Sequence, residues 1–205
     1  MRNSWLRLLP ALLFLVLAAY LGAALWGLLH RLPAGSPDVA GEAPLLLRGI
    51  ALRRELVLDA PAGTFADGAR LPAGTELAEG FSAPCSVLVF SGSDGLETLS
   101  PEDAAGWDVP ALRELLDTPL PASAGTARRV VTGFDWAFAA LCPADAAPES
   151  GERRRLRFSG REESVDALVL SVSPAEDGLC AVVFRLTAGD DAYWRLRLCT
   201  AELIS

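Results

Sequence analysis

The side chains that most often carry protons or act as nucleophiles in enzymes, histidine and lysine, are almost absent from this sequence. All 18 basic residues are arginine, and His30 is the single histidine. Because His30 borders an apolar segment near the start of the chain, a Ser-His-Asp or Cys-His mechanism has no histidine in the part that must fold. A Schiff-base lysine is excluded as well. We therefore predict a protein that is not an enzyme and that needs no cofactor or metal.

Carboxylates are the remaining candidates for acid–base chemistry or calcium binding. They cluster in two stretches, Asp94/Glu97/Glu102/Asp103 and Asp190/Asp191. The first stretch lacks the spacing of an EF-hand loop, and both stretches fall in predicted turns. We expect solvated turns here; a hydrolase that uses carboxylates alone is the enzymatic alternative.

The four cysteines are Cys85, Cys142, Cys180 and Cys199. None belongs to a CxxC motif, so a compact zinc knuckle is not indicated. Outside the cytoplasm an even number of cysteines allows disulfides, with three pairings open to four residues. Each cysteine also lies in an apolar run, which favours buried free thiols that act as small hydrophobic groups. Both alternatives remain open at this level.

The densest basic cluster comprises Arg153, Arg154, Arg155 and Arg157. In a β-strand, Arg153, Arg155 and Arg157 share one face and Leu156 and Phe158 the other. The arginine face is a candidate contact with anionic lipid headgroups or with an acidic partner. Of the two interpretations, we favour a solvated edge strand that is protected by charge.

Four aromatic side chains could form a platform for a ligand: Trp107, Phe134, Trp136 and Trp194. Large aromatic rings contribute most often to hydrophobic cores. We therefore expect core or barrel-end packing rather than a binding site.

A long apolar segment lies near the N-terminus. No side chain from Leu8 to Leu29 is charged, and about 22 residues suffice to cross a bilayer as a helix. Arg2 and Arg7 precede this segment, so the positive-inside rule favours a cytoplasmic N-terminus and an extracytoplasmic remainder. A cleaved signal peptide is the alternative. The net charge of −8 argues against nucleic acid as a partner.

Beyond this segment the chain shows the short apolar runs that are typical of β-strands. Residues 32–44 are rich in Pro and Gly and indicate a linker. Ser100 to Asp103 has the composition of a helix start, and apolar residues recur at helical spacing from Val109 to Leu116. About six strands at roughly 12-residue spacing follow Gly125, which indicates a small barrel or sandwich. The predicted fold is mainly β.

Three stretches carry a resemblance to a known family. Residues 48–79 have Asp67-Gly68 at a turn between strands, residues 81–116 combine a strand with a helical segment, and residues 128–186 contain the Asp177-Gly178 hairpin. In this order they resemble the HlyD-like periplasmic adaptor (membrane-fusion) family of efflux and secretion systems, in particular its degenerate Gram-positive, clostridial type. The first two stretches are similar to the two lipoyl-like half motifs of the family, and the third is similar to its β-barrel.

The resemblance implies a division of the chain into five parts. These are a cytoplasmic tail with a transmembrane helix (1–31), a Pro/Gly linker (32–44), a lipoyl-like β domain (45–99), a helical connector (100–122) and a β-barrel domain (123–205). It also implies a non-enzymatic adaptor or scaffold at the cell membrane, bound to an integral-membrane transporter or envelope protein and able to self-associate. A membrane-anchored extracytoplasmic ligand-binding or sensing domain is the alternative function.

The chain departs from the family at one place. Such adaptors usually carry a long α-helical hairpin between the two lipoyl-like halves, whereas Glu79, Gly80 and Phe81 join the halves directly here. Since the chain has no lysine, the lipoyl-like motifs cannot be lipoylated. We therefore expect the partner to lie close to the membrane.

Overall fold

The computed structural model describes residues 44–59, 61, 64–120, 127–133, 135–187 and 193–204, and strands dominate these ranges. The predicted transmembrane segment Leu8–Leu29 and most of the linker lie outside the described residues. Within the described part, no helix has the length and apolar character needed to cross a bilayer.

The described elements are mainly strands, with one short helical segment between the sixth and the seventh strand. In chain order the described strands are β1 (Leu45–Leu52), β2 (Glu55–Leu58), β3 (Ala69–Leu71), β4 (Glu76–Ala78), β5 (Phe81–Ser82), β6 (Val87–Ser91), β7 (Arg128–Val131), β8 (Trp136–Pro143), β9 (Arg153–Phe158), β10 (Val165–Val172), β11 (Leu179–Leu186) and β12 (Leu198–Ile204). The described helices are α1 (Pro101–Ala104), α2 (Val109–Asp117) and a 3-10 turn (Tyr193–Arg195).

Six strands close into an antiparallel barrel in the order β1-β12-β9-β10-β11-β8. Alternate side chains of each strand point inward, and Phe138, Phe158 and Phe184 fill the interior. Phe138 and Phe158 meet edge to face with ring centroids 5.1 Å apart. The barrel predicted from sequence is therefore confirmed, as is the mainly β class.

A four-stranded sheet in the order β2-β7-β6-β3 forms a second β module. Its core includes Leu77, Val87, Val89 and Val130, all fully or almost fully buried. Next to it, β4 and β5 form a hairpin in which Ala78 faces Phe81 across a turn. Gly80 takes a φ of +71° in that turn, a conformation that glycine adopts without steric cost. The connection between β4 and β5 is thus a tight turn.

The helical segment packs on the outside of the barrel. Helix α1 starts with a capping box, in which Ser100 and Asp103 hydrogen-bond reciprocally, and Pro occupies its first turn. Helix α2 starts at an Asp108 cap and buries Leu112 and Leu116 against the outer side chains of β1, β8 and β11. The helix start predicted at Ser100 and the apolar face predicted between Val109 and Leu116 are confirmed.

Strand pairing crosses the domain boundaries that were predicted from sequence. Strand β1 was assigned to the lipoyl-like part and belongs to the barrel, whereas β7 was assigned to the barrel and belongs to the four-stranded sheet. The sheet, the hairpin and the helices are therefore one long insertion between the barrel strands β1 and β8. Alternating apolar patterns indicate which face of a strand is buried but not which strand pairs with it. The boundary between barrel and sheet depends on that pairing.

The insertion gives the barrel two different ends. Leu45 at the start of β1 faces Leu203 near the end of β12, and this end, where the chain enters, is here named the entry end. The opposite end, where β1 leads into β2 and β7 returns to β8, is named the sheet end. The chain thus enters the barrel at one end and builds its second β module from the other.

Candidate functional site: the joint and the arginine face

A buried ionic network joins the barrel to the sheet, and we name it the joint. Its central carboxylate belongs to Glu55, the first residue of β2, whose side chain is 1% exposed. Arg197, which immediately precedes β12, donates from Nη2 to Glu55. The network therefore bonds a residue of the sheet to a residue that leads into the barrel.

Two further side chains extend the joint. Arg129 of β7 donates from Nη1 to Oδ2 of Asp94 at 2.9 Å, and Arg197 donates from Nε to the same oxygen at 2.6 Å. Arg129 also lies 3.9 Å from Glu55. The two carboxylates are thus shared between the two guanidinium groups, and each carboxylate is held from more than one side.

Arg53 closes the network on the barrel side. Its side chain is almost fully buried, and it donates to the backbone carbonyls of Leu196 (2.9 Å) and Tyr193. Its guanidinium lies 4.9 Å from the ring centre of Trp136 and 5.7 Å from that of Trp194, which is within the range of a cation–π interaction. Arg53 therefore pins the 3-10 turn to the sheet end of the barrel.

Burial shifts the pKa values of charged side chains in the joint. It lowers the pKa of Arg53 to about 9, although nearby Glu55 acts in the opposite sense. Burial also raises the pKa of Glu55, against the pull of Arg197 and Arg129, and it lowers the pKa of Arg129. Charges that are removed from water at this cost require well-placed partners. The arrangement suits a fixed connection between two modules.

The predicted arginine face is present on β9. Arg153, Arg155 and Arg157 are exposed, whereas Leu156 and Phe158 point into the barrel. The favoured prediction of an edge strand was wrong, because β9 pairs with β10 on one side and β12 on the other in the closed barrel. Charge on this strand is therefore not needed to protect an open edge.

The three arginines differ in their partners. Arg157 forms an ion pair with Glu202 on β12, at 2.5 Å. Arg153 and Arg155 make no ion pair with any other residue in the described ranges. Two exposed cations on one strand are therefore available to a partner.

Two open clefts lie on this side of the barrel, and Arg153 lines one of them. One cleft of about 220 Å³ is lined by Arg153, Asp166, Leu168 and Arg185, and a second of about 390 Å³ continues past Arg185 towards Leu170. Leu170 sits at a register shift of β10 and is exposed. Leu170 follows Asp166 and Leu168 on the outer face of β10, so an apolar group borders the second cleft.

The first acidic cluster is divided between separate roles. Asp94 belongs to the joint, and Glu97 accepts hydrogen bonds from the Asp94 backbone (2.7 Å) and from Ser93 (3.0 Å). Glu102 pairs with Arg54, and Asp103 completes the cap of α1. No set of three potential metal ligands is grouped within the described ranges. Asp190 and Asp191 lie outside those ranges, as does His30.

The tryptophans pack as core residues. Trp136 and Trp194 are buried, and Trp107 packs against the cluster under the helices. Trp136 lies 5.3 Å from Phe158 and 6.2 Å from Tyr193, centroid to centroid. Core packing was therefore the correct interpretation for these three, whereas Phe134 lies outside the described residues.

The cysteines occupy three different places. Cys142 and Cys180 face each other across β8 and β11 inside the barrel. Cys199 is partly buried on β12, and Cys85 donates to the carbonyl of Thr132 at 3.2 Å in the sheet. No disulfide joins any two of the four in this structure. The sequence alone left the pairing open; the register brings one pair together.

Sequence reasoning missed most of the joint. Arg53, Glu55, Arg129 and Arg197 were not singled out, since each is one charged residue among many. The available signal was a charged residue at a position where the apolar pattern of a strand predicts burial, as for Arg129 before Val130 and Val131.

Comparisons with protein-family models, with curated proteins and with solved structures gave no match.

Proposed function

We propose that this protein is a membrane-anchored, non-enzymatic adaptor or scaffold of an efflux, secretion or cell-envelope complex, of the HlyD-like type. In this proposal the segment Leu8–Leu29 crosses the membrane once with the N-terminus in the cytoplasm. The observation that carries the proposal is the insertion of the sheet between β1 and β8. It gives a barrel whose entry end receives the chain and whose sheet end carries a second module.

The joint supports a scaffold role. An adaptor holds two partners at defined positions, so its two modules must keep a fixed orientation relative to each other. Glu55, Asp94, Arg129 and Arg197 provide directional bonds between the sheet and the barrel, and a small apolar cluster of Leu88, Phe90, Val131 and Trp194 lies beside them.

The arginine face is the surface we assign to the partner. Arg155 faces Ile204 at the end of β12, next to the start of β1, so the free cations lie towards the entry end. In the proposal this end is closest to the membrane. An integral-membrane protein can therefore reach Arg153 and Arg155 without leaving the membrane surface.

Charge favours a protein over lipid as the contact. Exposed acidic residues lie in the loops at the same end of the barrel, namely Asp145, Glu149, Glu176 and Asp177. They would repel a surface of anionic lipids. A folded partner can instead place one acidic segment against the arginines while avoiding these loops.

Affinity purification from chemically crosslinked membranes tests the function. The tagged full chain in its native host should recover an integral-membrane protein, and the double variant Arg153→Glu/Arg155→Glu should recover several-fold less of it. Arg113→Glu, a charge reversal on α2, is the matched control and should recover as much as the wild type. Recovery of no membrane protein above the untagged strain would refute the proposal.

A further inference from the structure

Two of the four cysteines face each other in the wall of the barrel. Cys142 of β8 and Cys180 of β11 are direct partners in the antiparallel register. Both side chains point into the barrel and belong to its core, with exposures of 0% and 5%. The fold therefore places two residues opposite each other that are 38 positions apart in sequence.

The hydrogen-bond pattern defines the distance between their backbones. Ala144 donates to the carbonyl of Gly178 at 2.9 Å, so the pair Ala144/Gly178 is of the hydrogen-bonded kind. Pairs of this kind recur every second residue, which makes Cys142 and Cys180 another one. Their Cα atoms are then about 5.5 Å apart, within the range of roughly 4.4–6.8 Å that a disulfide spans. The Cβ atoms of a hydrogen-bonded pair lie towards about 5.5 Å apart, so the two strands must bring them to within about 4.5 Å of each other for the bond to form.

The other two thiols lack such a partner. Cys199 lies on β12, and β1 separates β12 from β8. Two strand spacings amount to about 10 Å, which is too far for a disulfide without movement of the backbone. Cys85 belongs to the core of the four-stranded sheet, a cluster separate from the barrel core.

We propose that Cys142 and Cys180 form an intramolecular disulfide that staples β8 to β11 inside the barrel. The oxidant is a disulfide of low molecular weight or of a thiol oxidase. One cysteine thiolate attacks it to give a mixed disulfide, the other displaces the leaving thiol, and the oxidant leaves as two thiols.

The bond should form while the domain folds. Burial, with smaller effects from Cys180 and Asp145, raises the pKa of Cys142 to about 11, and the thiolate is the reactive form. In the closed barrel the pair is shielded from solvent, so oxidation must precede closure and reduction must be slow afterwards. Formation in the cell rests on the extracytoplasmic location proposed above, whereas formation during refolding in vitro does not.

Peptide mapping tests the bond directly, because cleavage after arginine puts each cysteine on its own peptide. These are 71–113 for Cys85, 130–153 for Cys142, 162–185 for Cys180 and 198–205 for Cys199. The full chain is refolded in detergent with oxidised and reduced glutathione, alkylated, digested and analysed by mass spectrometry. We expect peptides 130–153 and 162–185 to appear joined, lighter by two hydrogen atoms than the two thiol peptides. Alkylation of both cysteines, or linkage of either to another peptide, would overturn the proposal.

Two variants make the test independent of refolding yield. The double variant Cys85→Ser/Cys199→Ser should still give the joined peptide. Reductant should lower the melting temperature of this variant by about 5–10 °C. Cys142→Ala should show no response to reductant. If the linkage forms in vitro but not in chain taken from the native host, the proposed location fails while the disulfide stands.

Discussion

Arg197, immediately before the last barrel strand, donates from Nη2 to the buried carboxylate of Glu55, the first residue of the sheet. These residues lie 142 positions apart in sequence. The bond thus connects the end of the fold to the strand that follows the first barrel strand. It makes the barrel and the sheet depend on each other.

Replacing Glu55 tests this dependence. Glu55→Gln keeps the shape of the side chain but leaves Arg197 and Arg129 with Asp94 as their only carboxylate in the joint. Removing one member of a buried ion pair strands the remaining charge in a desolvated place. We expect the free energy of unfolding in urea to fall by about 3 kcal/mol.

Asp117→Asn is the matched control for Glu55→Gln. Asp117 pairs with Arg48 at 3.1 Å, and both side chains are about 60% exposed, so the loss should stay below about 1 kcal/mol. Equal effects of the two substitutions would show that the joint does not hold the modules together.

Gly49 in β1 marks the tightest place in the barrel wall. A Cβ at this position would lie 2.4 Å from the carbonyl oxygen of Ala139 and 2.6 Å from the ring of Phe138. Since a backbone oxygen in a closed barrel cannot easily move, Gly49→Ala should destabilise the protein by about 2 kcal/mol or more. Gly106→Ala, which meets nothing closer than 3.9 Å, should change stability by less than about 1 kcal/mol. Thermal unfolding of the two variants measures the difference. Equal melting temperatures would contradict the close packing of Gly49 against Ala139 and Phe138.

Asp67 should contribute to the acid sensitivity of the sheet. The backbone N–H of Ser91 donates to it at 2.8 Å and Arg195 lies 2.8 Å away; the Ser91 bond most of all lowers its pKa. A carboxyl whose pKa is lower when folded stabilises the fold above its unfolded value, about 3.9, and loses this effect as pH falls through the folded value.

Asp67→Asn should therefore be less stable than the wild type near pH 6, with the difference shrinking below about pH 4. Urea denaturation at several pH values measures this, and Arg195→Gln should show a smaller effect in the same direction. If the free energy of unfolding of the wild type and that of Asp67→Asn differ by the same amount at every pH down to 2, the Asp67 carboxylate makes no such contribution.

Local patterns predicted the elements of this fold well. The alternation in residues 153–158 placed Arg153 and Arg155 outside and Leu156 inside, as found, and the composition around Ser100 predicted a real helix cap. These features depend on a few neighbouring residues. The sequence carries them in short segments, so they can be recognised without the structure.

Pairing between distant segments could not be predicted in the same way. Nothing near Leu45–Leu52 indicates that β12 and β8 are its neighbours, and nothing near Glu55 points to Arg197. The partnership of Cys142 with Cys180 likewise depends on the register of two whole strands. The joint and the cysteine pair therefore emerge only from the closed barrel.

The adaptor proposal is tested most directly by a photoreactive amino acid placed at position 155 of the full chain in its native host. Position 155 is on the free part of the arginine face, and position 113 on α2, whose arginine contacts Asp177 at the same end of the barrel, is the control. We expect irradiation to give one covalent adduct with an integral-membrane protein from position 155 and none from position 113. Adducts with lipid alone, or equal adducts from both positions, would contradict the assignment of this face to a membrane-protein partner.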